Sequence, residues 1–488
     1  MDYLWTVGEI AEAVKGQVEV LGSDVQGVES NGINSVSIDS RTLEDDALYI
    51  AIQGVSQDGH AFVHSAFESG AKACLVSKDF ELDGFEKADG SEKAGGSGGI
   101  LIRVEDTFKA LQDLGLASRK RCTGKIIAVT GSAGKTGTKE ALRVMFEKFG
   151  RTHASVKSFN NHWGVPLTLA RMPRDCEFGI FEVGMNHAGE ISPLSKLIQP
   201  HVALITTVAP AHIGHFANEE EIADAKAEIF DGLVDGGACL LPADNRHFDR
   251  LKQAAFQAKV QNVYSFGKAS GVDVKLVSGE FGHERSVVRA DCFGEGIDFS
   301  ISIPGEHIAL NFLGALGCLK LTGCSVLQAA SVLSELIAPP GRGVRHQLHL
   351  ASDVSSKVLL IDESYNANPP SMDIALKNLS ALKDGTYCRR IAVLGDMLEL
   401  GAHSDYYHRG IAPLIASLDV DLVFASGEMM SHMFNELPQD KKGAFALTSK
   451  DLIKPLEESL QSGDVVMIKG SLGSDMGSIV TALCEKYK

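Results

Sequence analysis

Paired cysteines are missing from this chain. Its nine cysteines, Cys74, Cys122, Cys176, Cys239, Cys292, Cys318, Cys324, Cys388 and Cys484, are odd in number, stand singly and never form Cys-x-x-Cys. That pattern argues against a disulfide framework or a zinc site and reads as reduced thiols of a cytosolic protein. Long apolar runs are missing too. No stretch approaches about 18 uninterrupted apolar residues, so no membrane span is expected. The stretch Met1-Asp2-Tyr3-Leu4-Trp5 has neither the basic start nor the apolar core of a signal peptide, which adds to the expectation of a cytoplasmic location. Positive charge is in short supply: 46 Lys and Arg stand against 63 Asp and Glu, a net charge of −17. A nucleic-acid-binding surface is basic, so no nucleic-acid partner is expected. An anionic small substrate stays open, because a local basic pocket can sit in an acidic protein. No internal repeat is visible.

What is present is an ordinary globular composition. Apolar residues make up 44% and charged residues 22% of 488 residues, enough for two to four domains with ample core. The organising stretch is Ile126-Ile127-Ala128-Val129-Thr130-Gly131-Ser132-Ala133-Gly134-Lys135-Thr136. An apolar β-type run ends in a glycine-bearing loop with Lys-Thr, and a helical pattern follows at once. This is the strand–loop–helix order of a phosphate-binding loop, in which backbone N–H groups and the positive end of a helix face phosphate oxygens. Lys135 would reach the β- and γ-phosphates, and Thr136 would offer its hydroxyl to Mg²⁺. Val129 stands where the longer form of this loop has glycine, so the loop is a short Gly-x-x-Gly-Lys-Thr variant. The plainer reading is a Gly/Ser turn before a helix that happens to hold Lys-Thr.

Residues 1–106 read as a small α/β domain, with a helix over 7–14, strands over 35–39 and 48–52, and a helix over 61–69. Residues 83–99 are rich in Gly, Ser, Lys and Glu without apolar spacing and are expected as a mobile surface loop. Residues 107–338 alternate strand and helix, with strands predicted over 126–130, 178–183, 202–207 and 238–242. Helical spacing over 138–149 and 219–233 lies between them, which implies a mainly parallel sheet covered by helices. From 262 to 304 short alternating runs suggest appended antiparallel strands, followed by a helix over 309–321. Pro339-Pro340-Gly341-Arg342-Gly343 is a domain break. Beyond it, residues 339–488 carry apolar strands over 358–361, 391–394, 422–425 and 465–468, a second doubly wound α/β domain.

Open parallel sheets bind ligands beyond the carboxyl ends of their strands. Glu182 and His212 fall at two such ends, and near a phosphate loop they make Mg²⁺ or Mn²⁺ ligands plausible. Equally, Glu182 could be a strand-end surface acid and His212 a loop donor. By spacing alone Lys226 is a solvated helix lysine, and Asn160-Asn161 before Gly164-Val165-Pro166 is a turn and cap. In the last third, the polar run Asp362-Glu363-Ser364-Tyr365-Asn366-Ala367-Asn368-Pro369 follows an apolar strand. It reads either as ligand contacts or as an Asn/Pro turn capping the next helix. Leu394-Gly395-Asp396-Met397-Leu398-Glu399-Leu400-Gly401 and Lys469-Gly470-Ser471 are further strand exits. Three such exits on one edge would form a rim facing the nucleotide domain.

Taken together, these motifs resemble the ATP-dependent Mur ligases of bacterial cell-wall synthesis over nearly the whole chain. The shared motifs are Thr-Gly-Ser-Ala-Gly-Lys-Thr, the Glu182 strand, His212, Pro304-Gly305-Glu306-His307 with Asn311, Gly341-Arg342 and Asp362. Tyr365-Asn366-Ala367-Asn368-Pro369 with Ser371-Met372, and the Leu394–Gly401 run, resemble the branch that adds D-alanyl-D-alanine to UDP-N-acetylmuramoyl-tripeptide. The resemblance implies three α/β domains. The first is a small UDP-binding domain, where Ser40, Arg41 and the run from Gly54 to His60 match in position. The second is a central ATPase domain, where Thr130, Gly131, Ser132, Ala133, Gly134, Lys135, Thr136 and Asn311 match ATP contacts. The third is a closing C-terminal domain that brings the dipeptide. Asn160 and Asn161 resemble the sugar–peptide contact region, and Tyr365, Asn366 and Asn368 resemble substrate contacts.

The resemblance implies Glu182, His212, Lys226 and Thr136 as metal-facing residues, with Lys226 matching a lysine that relatives carbamylate. It places Arg342 and Asp362 at the nucleotide, bridging two domains, and implies a monomer. The implied reaction activates the peptide carboxylate as an acyl phosphate and then aminolyses it. Two departures are visible: Ile308 follows His307 where the family often has asparagine, and Leu472 stands where Lys-Gly-Ser is often followed by arginine. The alternatives are folylpolyglutamate synthase or the ligase of the third amino acid, against which the C-terminal motifs weigh, and a catalytically dead ATP-binding scaffold, against which the intact loop weighs.

Overall fold

A computed structural model describes residues 3–21, 27–54, 57–82, 99–156, 158–282, 285–350, 356–382 and 388–488. The glycine-rich stretch expected as a loop lies outside the described residues except for its last position. Among the described residues three larger mixed sheets follow one another along the chain, beside a two-stranded antiparallel pair of Trp5–Thr6 with Gly32–Ile33.

The first sheet has the order Gln17–Val20, Ile100–Val104, Ala71–Ser77, Ala47–Ile50, Ser35–Ser37; only its first pair is antiparallel. The helix Val7–Val14 is where its apolar spacing places it, closed at its start by a capping box between Thr6 and Glu9. The core here takes in Ala110, Leu111 and Leu114 of the helix Thr107–Arg121, and Leu167 and Ala170 of the helix Gly164–Ala170. Apolar packing therefore runs across the expected boundary at residue 106.

The central sheet has nine strands. From one edge they are Thr152–Ala154, Phe178–Glu182, Lys125–Thr130, Val202–Ile205, Ala238–Pro242, Asn262–Gly267, Val274–Phe281, Ser286–Cys292 and Glu295–Ile301. One expectation is corrected here. The strand Asn262–Gly267 is not antiparallel: it pairs in parallel with Ala238–Pro242, and briefly with Val274–Phe281. The reason is the helix Phe248–Gln257, a crossover that returns the chain in the same direction. Only the last three strands form an antiparallel meander.

The helix Glu306–Leu321 is apolar nearly all round, and it is buried accordingly, between the parallel strands and that meander. Gly314 and Gly317 let it sit close. A Cβ on Gly314 would lie 2.9 Å from Leu204 Cδ1, and one on Gly317 2.9 Å from Leu240 Cδ1. This depth is what carries Asn311 to the phosphate loop.

The third sheet has the order Val344–His349, Lys357–Glu363, Asp464–Lys469, Arg389–Gly395, Leu422–Ser426, Lys442–Ala446, with an antiparallel edge strand ahead of a parallel body. In both larger sheets the functional strand ends are level. Glu182 pairs with Val129, and Ile205 with Thr130. In the third sheet Glu363 and Leu394 both pair with Lys469. Among the described residues no helix is long and apolar enough to cross a membrane.

Gly317→Val overpacks the contact with Leu240. We expect a loss of about 1–3 kcal/mol by urea denaturation, with the binding of nucleotide weakened in step because Asn311 rides on the same helix.

Candidate active site between two lobes

Gly131 and Gly134 bend the phosphate loop with φ values of 151° and 80°, which few side chains tolerate. Space forbids them as well. A Cβ on Gly131 would lie 1.9 Å from Thr206 Oγ1, and one on Gly134 2.2 Å from Asn311 Nδ2. Neighbouring strand ends pin the loop: Thr206 Oγ1 donates to the Ala133 carbonyl at 2.6 Å, and Ser132 N donates to the Thr207 carbonyl at 2.8 Å. Ser132 Oγ donates to the Ala209 carbonyl at 2.8 Å. Lys135 opens the helix Lys135–Phe146, and its amine curls back to the Gly131 carbonyl at 2.7 Å. Thr136 Oγ1 lies 3.4 Å from Ser158 Oγ.

Glu182 is buried at the end of its strand. Its Oε1 accepts from Asn160 Nδ2 at 2.7 Å, while Oε2 is buried without a hydrogen-bond partner. An orphaned buried carboxylate oxygen is costly unless a cation completes it. Its backbone N–H donates to Ser155 Oγ at 3.2 Å, and the buried Lys139 amine donates to the Ser155 carbonyl at 2.7 Å. Lys139 was not legible in the sequence, where it reads as a helix lysine.

Lys226 is also not solvated. It is 2% exposed, and burial, with the Lys135 charge added, pushes its amine well below the ordinary lysine range. Lys135 is lowered too, first by burial and then by Arg342, with Glu182 opposing. His212 is lowered by burial, with Glu399 opposing and Lys135 and Lys226 adding to the fall. These groups therefore feel one another's charge. Among the described residues no three His, Cys, Asp or Glu side chains gather as a metal shell. A cation here would need Thr136 or a modified Lys226 beside Glu182 and His212.

A cavity of about 850 Å³ joins this wall to the third sheet. The loop from Ser132 to Thr138, Asn160, Glu182, His212 and Asn311 line one side. Arg342, Tyr365, Asn366, Asn368 and Lys469 line the other. Arg342 stacks on the Tyr365 ring, 4.3 Å from its centroid. Lys469 donates to the Asn366 carbonyl at 3.0 Å.

Other expected site residues lie behind the wall or apart from it. Thr130 and Gly131 are buried beneath the loop, and Lys226 lies outside the lining. Asp362 holds the domain break instead of facing the cavity: Oδ2 accepts from Gly341 N at 3.1 Å, and Oδ1 from Ser364 Oγ at 2.6 Å. Asn161 Oδ1 accepts from Gly164 N at 2.9 Å, so it caps the following helix as the plainer reading had it. Asn368 does line the cavity and also caps the helix Pro369–Ser380 through Ser371.

Ser40, Arg41, Gly54 and His60 lie away from this cavity. Arg41 is exposed and holds Asp39 through Nε at 2.8 Å. Both His60 nitrogens are engaged within the protein, Nδ1 with Asp58 Oδ1 at 2.6 Å and Nε2 accepting from Ser77 N at 2.9 Å. Gly54 abuts Trp163: a Cβ there would lie 3.3 Å from the indole ring.

Three family models match consecutive parts of the chain: Mur ligase family, catalytic domain, over residues 32–119; Mur ligase middle domain over 129–319; and Mur ligase, glutamate ligase domain, over 348–472. A UDP-N-acetylmuramoyl-tripeptide–D-alanyl-D-alanine ligase from Rickettsia prowazekii is 32% identical over 92% of this chain and 96% of its own length. The Bacillus subtilis ligase of the same name is 32% identical over 98% of each chain. The crystal structure of MurF from Acinetobacter baumannii superposes with a TM-score of 0.82 at 27% identity, covering 99% of both chains. On identity at this level along nearly the full length, with the fold to match, the chain belongs to the Mur ligase family.

Proposed function

We propose that the chain is the ATP-dependent ligase that joins D-alanyl-D-alanine to UDP-N-acetylmuramoyl-tripeptide in peptidoglycan synthesis. The observation that carries this reading is the single cavity on which the phosphate loop, Glu182 and His212 meet Arg342, Asn366 and Lys469 from the opposite lobe. In the first step a peptide carboxylate oxygen attacks the γ-phosphorus of ATP, the bond to the β,γ-bridging oxygen breaks, and ADP leaves. In the second, the dipeptide amine attacks the acyl phosphate carbonyl, loses a proton and expels inorganic phosphate.

A carboxylate is a poor electrophile, and bringing it to a triphosphate sets two anions against each other. Lys135 meets this at the phosphates, and Arg342, lying over the Tyr365 ring, meets it from the other lobe. The donor set fits a hard divalent cation such as Mg²⁺, or Mn²⁺: a hydroxyl on Thr136, the orphaned Glu182 Oε2 and the His212 ring. When bound, Mg²⁺ neutralises phosphate charge. Lys226, whose amine is pushed well below the ordinary lysine range by burial, suits attack on CO₂, giving a carbamate and one proton; that would put an anion where the amine stood.

Residues 1–106 would hold the UDP end of the substrate, 107–338 the nucleotide and 339–488 the dipeptide. Nine free cysteines and phosphorylated, UDP-linked substrates favour a cytoplasmic setting.

Phosphate release should require UDP-N-acetylmuramoyl-tripeptide and D-alanyl-D-alanine together, with the pentapeptide product seen by mass. Release with a single amino acid and none with the dipeptide would overturn the assignment. Lys135→Ala should lower turnover by about 10²–10³-fold, the scale of a removed transition-state charge donor.

Lys226→Met separates chemistry from stability. The folded-state value of the amine is depressed, so its contribution is best above the unfolded lysine value, about 10.4, and is lost as pH falls towards the folded value. At neutral pH the methionine variant should therefore melt no lower than the parent, while turnover falls about 10²-fold. A lower melting temperature with full turnover would mark Lys226 as purely structural.

A further inference from the structure

Two non-glycine residues in the left-handed region meet across the lobes. His212, at φ 59°, follows the central strand Val202–Ile205, and Glu399, at φ 63°, follows the strand Arg389–Gly395 of the third sheet. Such a conformation is unfavourable and persists only where the surroundings hold it.

Here they do. Gly214 N donates to the Glu399 carbonyl at 3.1 Å. Gly214 and Gly401 press backbone on backbone: a Cβ on Gly214 would lie 2.5 Å from Gly401 N, and one on Gly401 2.7 Å from Gly214 Cα. Within its own lobe the chain just ahead of Glu399 is anchored twice. Met397 N donates to the buried His408 Nε2 at 3.0 Å, and Leu398 N donates to Ser471 Oγ at 2.9 Å. The outcome of this anchoring is that the Glu399 carboxylate lies in ion-pair range of His212 Nδ1, a buried nitrogen that no hydrogen bond among the described residues satisfies. Nothing about a turn alone requires a carboxylate at that position, and glycine would adopt the same φ without strain.

We propose that Glu399 is a positioning residue supplied by the opposite lobe: by holding Nδ1–H of His212 it sets the ring's orientation and tautomer and leaves Nε2 for the phosphate side of the cavity. A carboxylate behind a histidine does this generally, fixing which nitrogen carries the proton. Because Glu399 and His212 belong to different lobes, the histidine is in working order only while the lobes are together. Closure and completion of the site thus become one event, with the Gly214–Gly401 contact setting the register. The inference rests on the ligase reading above.

The test uses the full-length protein labelled with ¹⁵N-histidine, the His212 signals being assigned by their loss in His212→Ala. In chelator-treated protein the His212 ring should be the Nδ1–H tautomer. Glu399→Gln should shift it towards Nε2–H without lowering the melting temperature. In the turnover assay both Glu399→Gln and Glu399→Gly should lower kcat by about 10–100-fold with KM for ATP little changed. In a His212→Ala background the same changes should add little, because the two residues act as a unit.

An unchanged tautomer in Glu399→Gln overturns the proposal, as does wild-type turnover in Glu399→Gly, whose backbone is relaxed. A full additive loss on top of His212→Ala overturns it too. If wild-type protein releases no phosphate with the dipeptide, the ligase reading fails instead, and the tautomer measurement still decides whether Glu399 orients His212.

Discussion

Like-charge crowding is the constraint on which the rest of the structure depends. Burial pushes both lysines down; the Lys135 charge adds to the fall at Lys226, and Arg342 adds to the fall at Lys135 from the opposite lobe. Glu182 is the main counter-charge, and one of its oxygens is committed to Asn160. An arrangement of this kind is unfavourable in isolation and favourable around a polyanion. It can be held together only by a scaffold with a large apolar core, and the nine-stranded sheet with its embedded helix Glu306–Leu321 supplies one.

Register then does the placing. Three adjacent parallel strands end level, so Gly131, Glu182 and Thr206 arrive at one edge although they are far apart in sequence. The same device operates in the third sheet, where Glu363, Leu394 and Lys469 come level. Two crevices built by one rule and set mouth to mouth give a cavity that neither sheet could form alone. Asp362 ties the break between them to the third sheet through Gly341, so the segment that carries Arg342 moves with that lobe.

Much of this was legible from residues. Strand–loop–helix order at Lys135 identified the phosphate loop, and alternation of apolar runs identified parallel sheets, because both are local patterns with a fixed period. Where the sequence misled, the deciding contact was non-local. The run from 262 onward has the texture of a meander, yet a preceding helix turns its first strand parallel. Lys226 has the spacing of a solvated helix residue, and only packing takes it out of water. His60 matched a substrate contact only by resemblance, and packing engages both its ring nitrogens within the protein.

By itself the sequence determined the elements, their order, the phosphate loop and the family resemblance, since each follows from short-range pattern. Tertiary structure alone decided which polar groups face the cavity, which are spent as caps and ties, and which carboxylate stands behind His212. Those outcomes turn on strand register and on the approach of two lobes, and no local periodicity encodes the distance between residues 212 and 399.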